Sequence, residues 1–151
     1  MTVTQRPTLG YDQVEVGDEL PALAIPITPT LIVSAALASR DYQDVHHDPE
    51  LARQRGSDDI FMNILTTNGL VGRFVTDWTG PGGLLREVAI RLGAPNYPGD
   101  AMTLTGTVED KLGPETDGRG RVRIAVRGSN RLGDHVTGTV TVSLPLEGIT
   151  P

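Results

Sequence analysis

A chain of 151 residues with 38% apolar side chains fits one domain, residues 1–151, with enough apolar material for a single core. A formal charge of −6 sets the global field against nucleic acid and anionic membranes, although local basic clusters could still hold an anionic ligand. With no cysteine, disulfides, thiolate catalysis and cysteine zinc sites are excluded, in agreement with a reducing cytoplasm.

The opening MTVTQRPTLGYDQ carries no apolar signal segment, and no apolar run approaches bilayer length. The expectation is a cytoplasmic protein with no membrane partner. Residues 1–27 read as an irregular or briefly extended lead-in, punctuated by Gly17, Pro21 and Pro26. A first helix follows. Thr28 can cap it, Pro29 suits its first turn, and LIVSAALAS gives an alanine-rich body that a fold could bury. The helical pattern weakens at Arg40–Asp41.

A second, short helix has Asp48 as N-cap, Pro49 at its first position, Glu50 at the positive dipole end and Gly56 as its stop. Residues 41–47 therefore connect two helices. The apolar spacing predicts a third helix over about 60–78, with Ser57, Asp58 and Asp59 offered as caps. Gly69 and Gly72 each cost about 1 kcal/mol relative to alanine inside such a helix, so close approach of another backbone is the expected reason for them.

After Gly80–Pro81–Gly82–Gly83 the period changes to two. Strands are predicted over residues 87–92, 102–108, 121–127 and 136–142, separated by turn chemistry at 95–99, 114–120 and 133–134. One long apolar helix followed by a run of antiparallel strands describes an α+β hot-dog fold, in which a curved sheet wraps a central helix.

The segment RDYQDVHHDPELARQRG crowds Asp41, Asp44, His46, His47 and Asp48 together. A metal site is disfavoured. His46 and His47 are adjacent, so their side chains diverge, and the only other histidine, His135, is distant in sequence. Asp44, His47 and Asp48 read as a polar loop and a cap, and His135 as structural or surface. Asp41 and His46 stand five apart. On a continuous helix they would point about 140° apart, but in a bent connection they can face one another. Asp41 also lies at a helix C-terminus, where the dipole is expected to raise its pKa toward that of a general base. A solvated loop and an acid–base pair both remain open on spacing alone.

Asp41-x-x-x-x-His46 followed by Asp48–Pro49 resembles the signature G-D-x-N-P-x-H of the MaoC-like (R)-specific enoyl-CoA hydratases, which are hot-dog proteins. ALASRDYQDVHHD, GSDDIFMNILTTNGLVGRFVTDW, IRLGAPNY and NRLGDHVTGTV are similar to one branch, the small subunits of actinobacterial heteromeric steroid enoyl-CoA hydratases. The chain departs from the general signature in three places. Arg40 replaces the motif glycine, Gln43 and Asp44 replace asparagine and proline, and Phe61–Met62–Asn63–Ile64 lacks the usual His–Gly pair.

The resemblance implies hydration of a steroid side-chain enoyl-CoA in cholesterol degradation, with Asp41 as base and His46 orienting the same water. No cofactor is implied, since coenzyme A is part of the substrate. The predicted third-helix start could aim backbone N–H groups of Asn63 and Ile64 at the thioester oxygen, with the Asn63 side chain as an added donor. Arg86, Arg91, Arg119, Arg121, Arg123, Arg127 and Arg131 are candidates for the coenzyme A phosphates. The branch further implies a larger MaoC-like partner subunit in an α2β2 heteromer. The alternatives are a hot-dog acyl-CoA thioesterase, or a non-catalytic scaffold subunit of a hot-dog heteromer.

Overall fold

The computed structural model describes residues 7–148; residues 1–6 of the expected lead-in and 149–151 of the expected domain lie outside the described residues. Part of the lead-in takes the extended form. Residues 19–26 form β1 (Glu19–Pro26), which pairs antiparallel with β3 (Ala101–Pro114). A bulge between Leu20 and Leu23 absorbs Pro21, whose missing N–H an edge strand tolerates.

The first two helices begin where capping chemistry puts them. α1 (Pro29–Ala38) starts with Thr28 Oγ1 accepting from the Leu31 N–H at 3.0 Å. In α2 (Pro49–Gln54), Asp48 Oδ1 accepts from the N–H groups of Glu50 and Leu51, each at 3.0 Å. Gly56 follows with φ +92°, a left-handed conformation that glycine adopts without steric cost.

The third helix starts later than its apolar pattern predicts. α3 runs over Ile64–Thr79, and residues 60–63 are non-helical. The reason lies in the backbone. Phe61 N–H donates to Val45 O and Met62 N–H to Asn96 O, so these groups tie two loops together instead of starting a helix. Ser57, Asp58 and Asp59 do not cap α3. Asn63 does, with Oδ1 accepting from the Thr66 N–H at 2.9 Å.

β3, β4 (Arg119–Asn130) and β5 (Gly133–Pro145) extend the predicted strands at both ends, and β2 (Leu84–Leu92) extends its predicted strand at the N-terminal end. All pairings are antiparallel, in the order β1-β3-β4-β5-β2. Val71, Phe74 and Val75 of α3 meet the inward rows Met102–Leu104–Val108, Val122–Ile124–Val126 and Val140–Val142–Leu144. The central helix on an antiparallel sheet is the expected layout. At Gly138, a Cβ would lie 2.1 Å from the Ala89 carbonyl oxygen across the β5–β2 ladder. Gly138→Ala is expected to destabilise the protein by about 1–3 kcal/mol through overpacking, read as a lower denaturant midpoint.

Two helix expectations are corrected. A Cβ at Gly72 would meet only the Leu85 side chain at 3.4 Å and one at Gly69 would meet nothing, so neither glycine serves a backbone approach. α1 buries only Ile32 and Ala36. Its Leu31, Ala35 and Ala38 instead face Leu65, Gly69 and Leu70 of α3 across an open apolar groove.

Candidate active site

The end of α1 sets the first functional side chain. Arg40 N–H donates to Leu37 O at 3.0 Å and Asp41 N–H to Ala36 O at 2.9 Å, the paired bonds of a Schellman C-cap. That motif wants glycine at the position Arg40 fills. Arg40 is held at φ +58° and is the only described non-glycine residue with positive φ, a conformation costing an L-residue about 1–2 kcal/mol. The reversal of the chain there turns Asp41 back toward the helix it has just left.

A 3-10 turn over Asp44–His46 then carries His46 around the bend. His46 Nε2 comes to 3.2 Å from Asp41 Oδ2. Its Nδ1 lies 2.7 Å from Phe61 O, and since a carbonyl can only accept, Nδ1 carries the proton. Nε2 is thereby left as the acid–base atom facing Asp41. The Phe61 ring packs edge-on against the buried imidazole, with centroids 5.0 Å apart. The five-residue spacing thus resolves into a facing pair, because the connection bends.

Asp41 is not tuned as its helix-end position predicts. Its pKa is lowered, first by the hydrogen bond from Asn63 Nδ2 to Oδ2 at 3.0 Å; burial opposes this, and the Gln43 N–H and nearby His46 add smaller lowering effects. A direct donor outweighs the dipole of the preceding helix. Asn63 is fully committed. It caps α3, bonds Asp41, and donates to Ser39 Oγ at 3.1 Å. Its side chain is therefore not a free donor for a thioester, which corrects the expectation. The Met62 N–H is also taken, by Asn96 O. The backbone N–H groups of Asn63 and Ile64 bond no other described residue and lie at the positive end of the 16-residue helix.

These groups surround a cavity of about 300 Å³, lined by Asp41, His46, Asn63, Ile64, Ala94 and His135 among others. His135 arrives from β5. It is buried, with Nδ1 donating to Ala94 O at 2.7 Å and Nε2 accepting from Thr67 Oγ1 at 2.8 Å. Burial pushes its pKa below 6.5. The folded protein keeps His135 neutral while the unfolded chain can protonate it. Its stabilising contribution is therefore complete above about pH 6.5 and is lost as pH falls below that value. Melting temperatures across this range are expected to fall less steeply for His135→Gln than for the wild type.

The remaining candidates separate. Asp48 is the α2 cap, and His47 is exposed. Asp44 pairs with Arg55 at 2.7 Å rather than standing free in solvent. Among the described residues no cluster of three or more His, Asp or Glu side chains could hold a metal ion, and no helix is long and apolar enough to cross a membrane.

Most of the phosphate-binding candidates are already engaged. Arg86 meets Glu115 and Asp117, Arg121 meets Glu115, Arg123 meets Glu109 and Asp110, Arg127 meets Asp134, and Arg131 meets Asp100. Arg119 donates to the carbonyls of Gly82 and Ser143. Only Arg91 of that set has no protein partner among the described residues.

Known proteins resemble the chain over most of its length. The chain is 50% identical over 129 residues to the 3-oxo-4,17-pregnadiene-20-carboxyl-CoA hydratase beta subunit of Mycobacterium tuberculosis, an alignment covering 85% of this chain and 95% of that protein. A chain of the ChsH1–ChsH2 complex from the same organism superposes with a TM-score of 0.78 at 50% identity, over 86% of this chain and 98% of that one. The R-hydratase PhaJ1 from Pseudomonas aeruginosa shares the fold at 23% identity, with a TM-score of 0.82 over 95% of this chain and 90% of its own. The hot-dog fold expected from the element order is the one observed. Residues 13–130 match the family described as "MaoC like domain", and the chain belongs to that family.

Proposed function

We propose that this chain is the small subunit of a heteromeric enoyl-CoA hydratase, which adds water across the α,β double bond of a steroid side-chain thioester. The observation that carries the reading is the Asp41–His46 pair on the wall of a cavity beside a helix N-terminus. An α,β-unsaturated thioester is electrophilic at its β-carbon. Asp41 takes a proton from the water that attacks that carbon, and the electron pair of the double bond moves toward the thioester oxygen. The N–H groups of Asn63 and Ile64 and the α3 dipole stabilise the resulting enolate. The proton taken by Asp41 crosses the 3.2 Å contact to the unprotonated Nε2 of His46, which delivers it to the α-carbon, so both groups end as they began.

The depressed Asp41 pKa suits this role, because the carboxylate is ionised throughout the neutral range. No cofactor enters the scheme. The relative with 50% identity is itself a steroid acyl-CoA hydratase subunit, and a chain of equal identity was crystallised in a two-component complex. The open groove between α1 and α3 and the exposed Leu84 and Leu85 of β2 support a larger MaoC-like partner, since monomers seldom leave adjoining apolar faces uncovered.

The test is co-expression with a larger MaoC-like subunit, following loss of enoyl-thioester absorbance on a steroid side-chain enoyl-CoA. Activity in the complex and none in either chain alone is expected. Full activity of the larger subunit by itself would refute the assignment.

A further inference from the structure

Gly69 weakens α3, and no contact of the fold accounts for it. Inside a helix glycine is less favourable than alanine, yet a Cβ at Gly69 would meet nothing within 4 Å. The open space there is the groove between α1 and α3, with a volume of about 390 Å³. Leu31, Ala35 and Ala38 form one wall, and Leu65, Gly69 and Leu70 form the other. The small residues Ala35, Ala38 and Gly69 keep the two walls low.

The groove adjoins the cavity that holds the Asp41–His46 pair. On α3, Asn63 and Ile64 line the cavity, and the next two residues, Leu65 and Thr66, line the groove. At the end of α1, Ser39 lines the groove and Asp41 the cavity. Among the described residues, Ser39 and Thr66 are the only polar side chains in the groove lining. Both sit at the cavity end and both bond the Asn63 side chain. Ser39 Oγ accepts from Nδ2 at 3.1 Å, and Thr66 Oγ1 donates to Oδ1. From Ser39 back to Leu31 the groove runs about 12 Å along α1, and past its polar end every lining side chain is apolar. That profile fits a ligand whose polar, reacting end continues into an extended apolar body. We infer that the groove is the subsite for the apolar ring system of the acyl group, which leaves the reacting carbon at Asp41–His46 and lies between α1 and α3. This inference rests on the acyl-CoA reading above. A rigid ring system joined at the β-carbon cannot fold away from the site, so its apolar bed must begin beside that carbon. The larger subunit then closes over the rings from the open side.

The test fills the open space from Gly69. Gly69→Leu and Gly69→Ala are compared with wild type, each in the complex with the larger subunit. Both variants replace glycine by a better helix former, so both are expected to melt a few degrees higher. Calorimetry measures binding of two saturated thioesters that cannot be hydrated, a steroid side-chain acyl-CoA and butyryl-CoA. Gly69→Leu is expected to bind the steroid thioester at least about tenfold more weakly, and the single carbon of Gly69→Ala to weaken it about threefold. Butyryl-CoA should bind all three proteins equally, because Gly69 lies about 9 Å along α3 from Asn63, beyond the reach of a four-carbon chain.

Equal binding of the steroid thioester by wild type and Gly69→Leu overturns the inference, as does an equal loss for both thioesters. Failure of Gly69→Leu to join the larger subunit would make the groove a protein interface and overturns it too. Hydration of the α,β-unsaturated steroid thioester is followed separately. If wild type does not hydrate it, yet Gly69→Leu weakens steroid binding alone, the subsite stands and the hydratase reading falls.

Discussion

Replacing Asp41 by asparagine is expected to lower kcat for enoyl-thioester hydration by about 10²–10⁴-fold, the usual contribution of a positioned general base. The complex should stay assembled. Asn is isosteric, and with its oxygen turned to the Asn63 amide it keeps the 3.0 Å bond, losing only the long 3.4 Å bond from the Gln43 N–H. The loss should fall on kcat more than KM, because the removed group acts on the water and not on the thioester. A purified Asp41→Asn complex within threefold of wild type would reduce the pair to a local structural contact. The chain would then be a scaffold subunit.

The second large effect is expected at Asn63. Its buried amide joins the α3 cap, Ser39 and Asp41. Asn63→Ala loses the cap, at a cost of about 0.5–2 kcal/mol, and with it the donor that does most to lower the Asp41 pKa. Melting temperature should fall by several degrees. The Asp41 pKa should rise, so the acid limb of the kcat/KM profile should move to higher pH. Asn63→Asp separates the two effects. It retains an oxygen for the Thr66 N–H but sets a second carboxylate against Asp41, so stability should largely recover while the acid limb moves further up. Profiles that coincide for wild type and both variants would show that Asn63 is a cap and no more.

Much of this was legible in the sequence, for identifiable reasons. Thr28–Pro29 and Asp48–Pro49 are local signals, and local hydrogen bonds decide them. The strand period and the turns between strands gave the sheet in the same way. Spacing alone leaves Asp41 and His46 open between a solvated loop and an acid–base pair, and it is the resemblance to the MaoC-like signature that singles them out. What was hidden depends on long-range contacts. The apolar run from Ile60 reads as helix, yet Val45 O and Asn96 O take its backbone donors. The dipole argument for Asp41 fails because Asn63, 22 residues on, supplies a donor. His135 gives no sequence signal that it lines the same cavity, since Thr67 and Ala94 hold it there from other elements. One signal was available and missed. Asn63 stands three residues before Thr66, a capping pattern closer to the true helix start than Ser57–Asp59.

The decisive measurement is oxygen tracing. The complex is incubated with a steroid side-chain enoyl-CoA in ¹⁸O-water, and the products are read by mass spectrometry, wild type beside Asp41→Asn. The predicted result is one ¹⁸O in a β-hydroxyacyl-CoA that keeps its thioester, formed by wild type and nearly absent with the variant. Label in a released carboxylate, together with free coenzyme A, would mean attack at the carbonyl carbon and a thioesterase. Labelled hydroxyacyl-CoA formed equally by both proteins would place the base outside this chain.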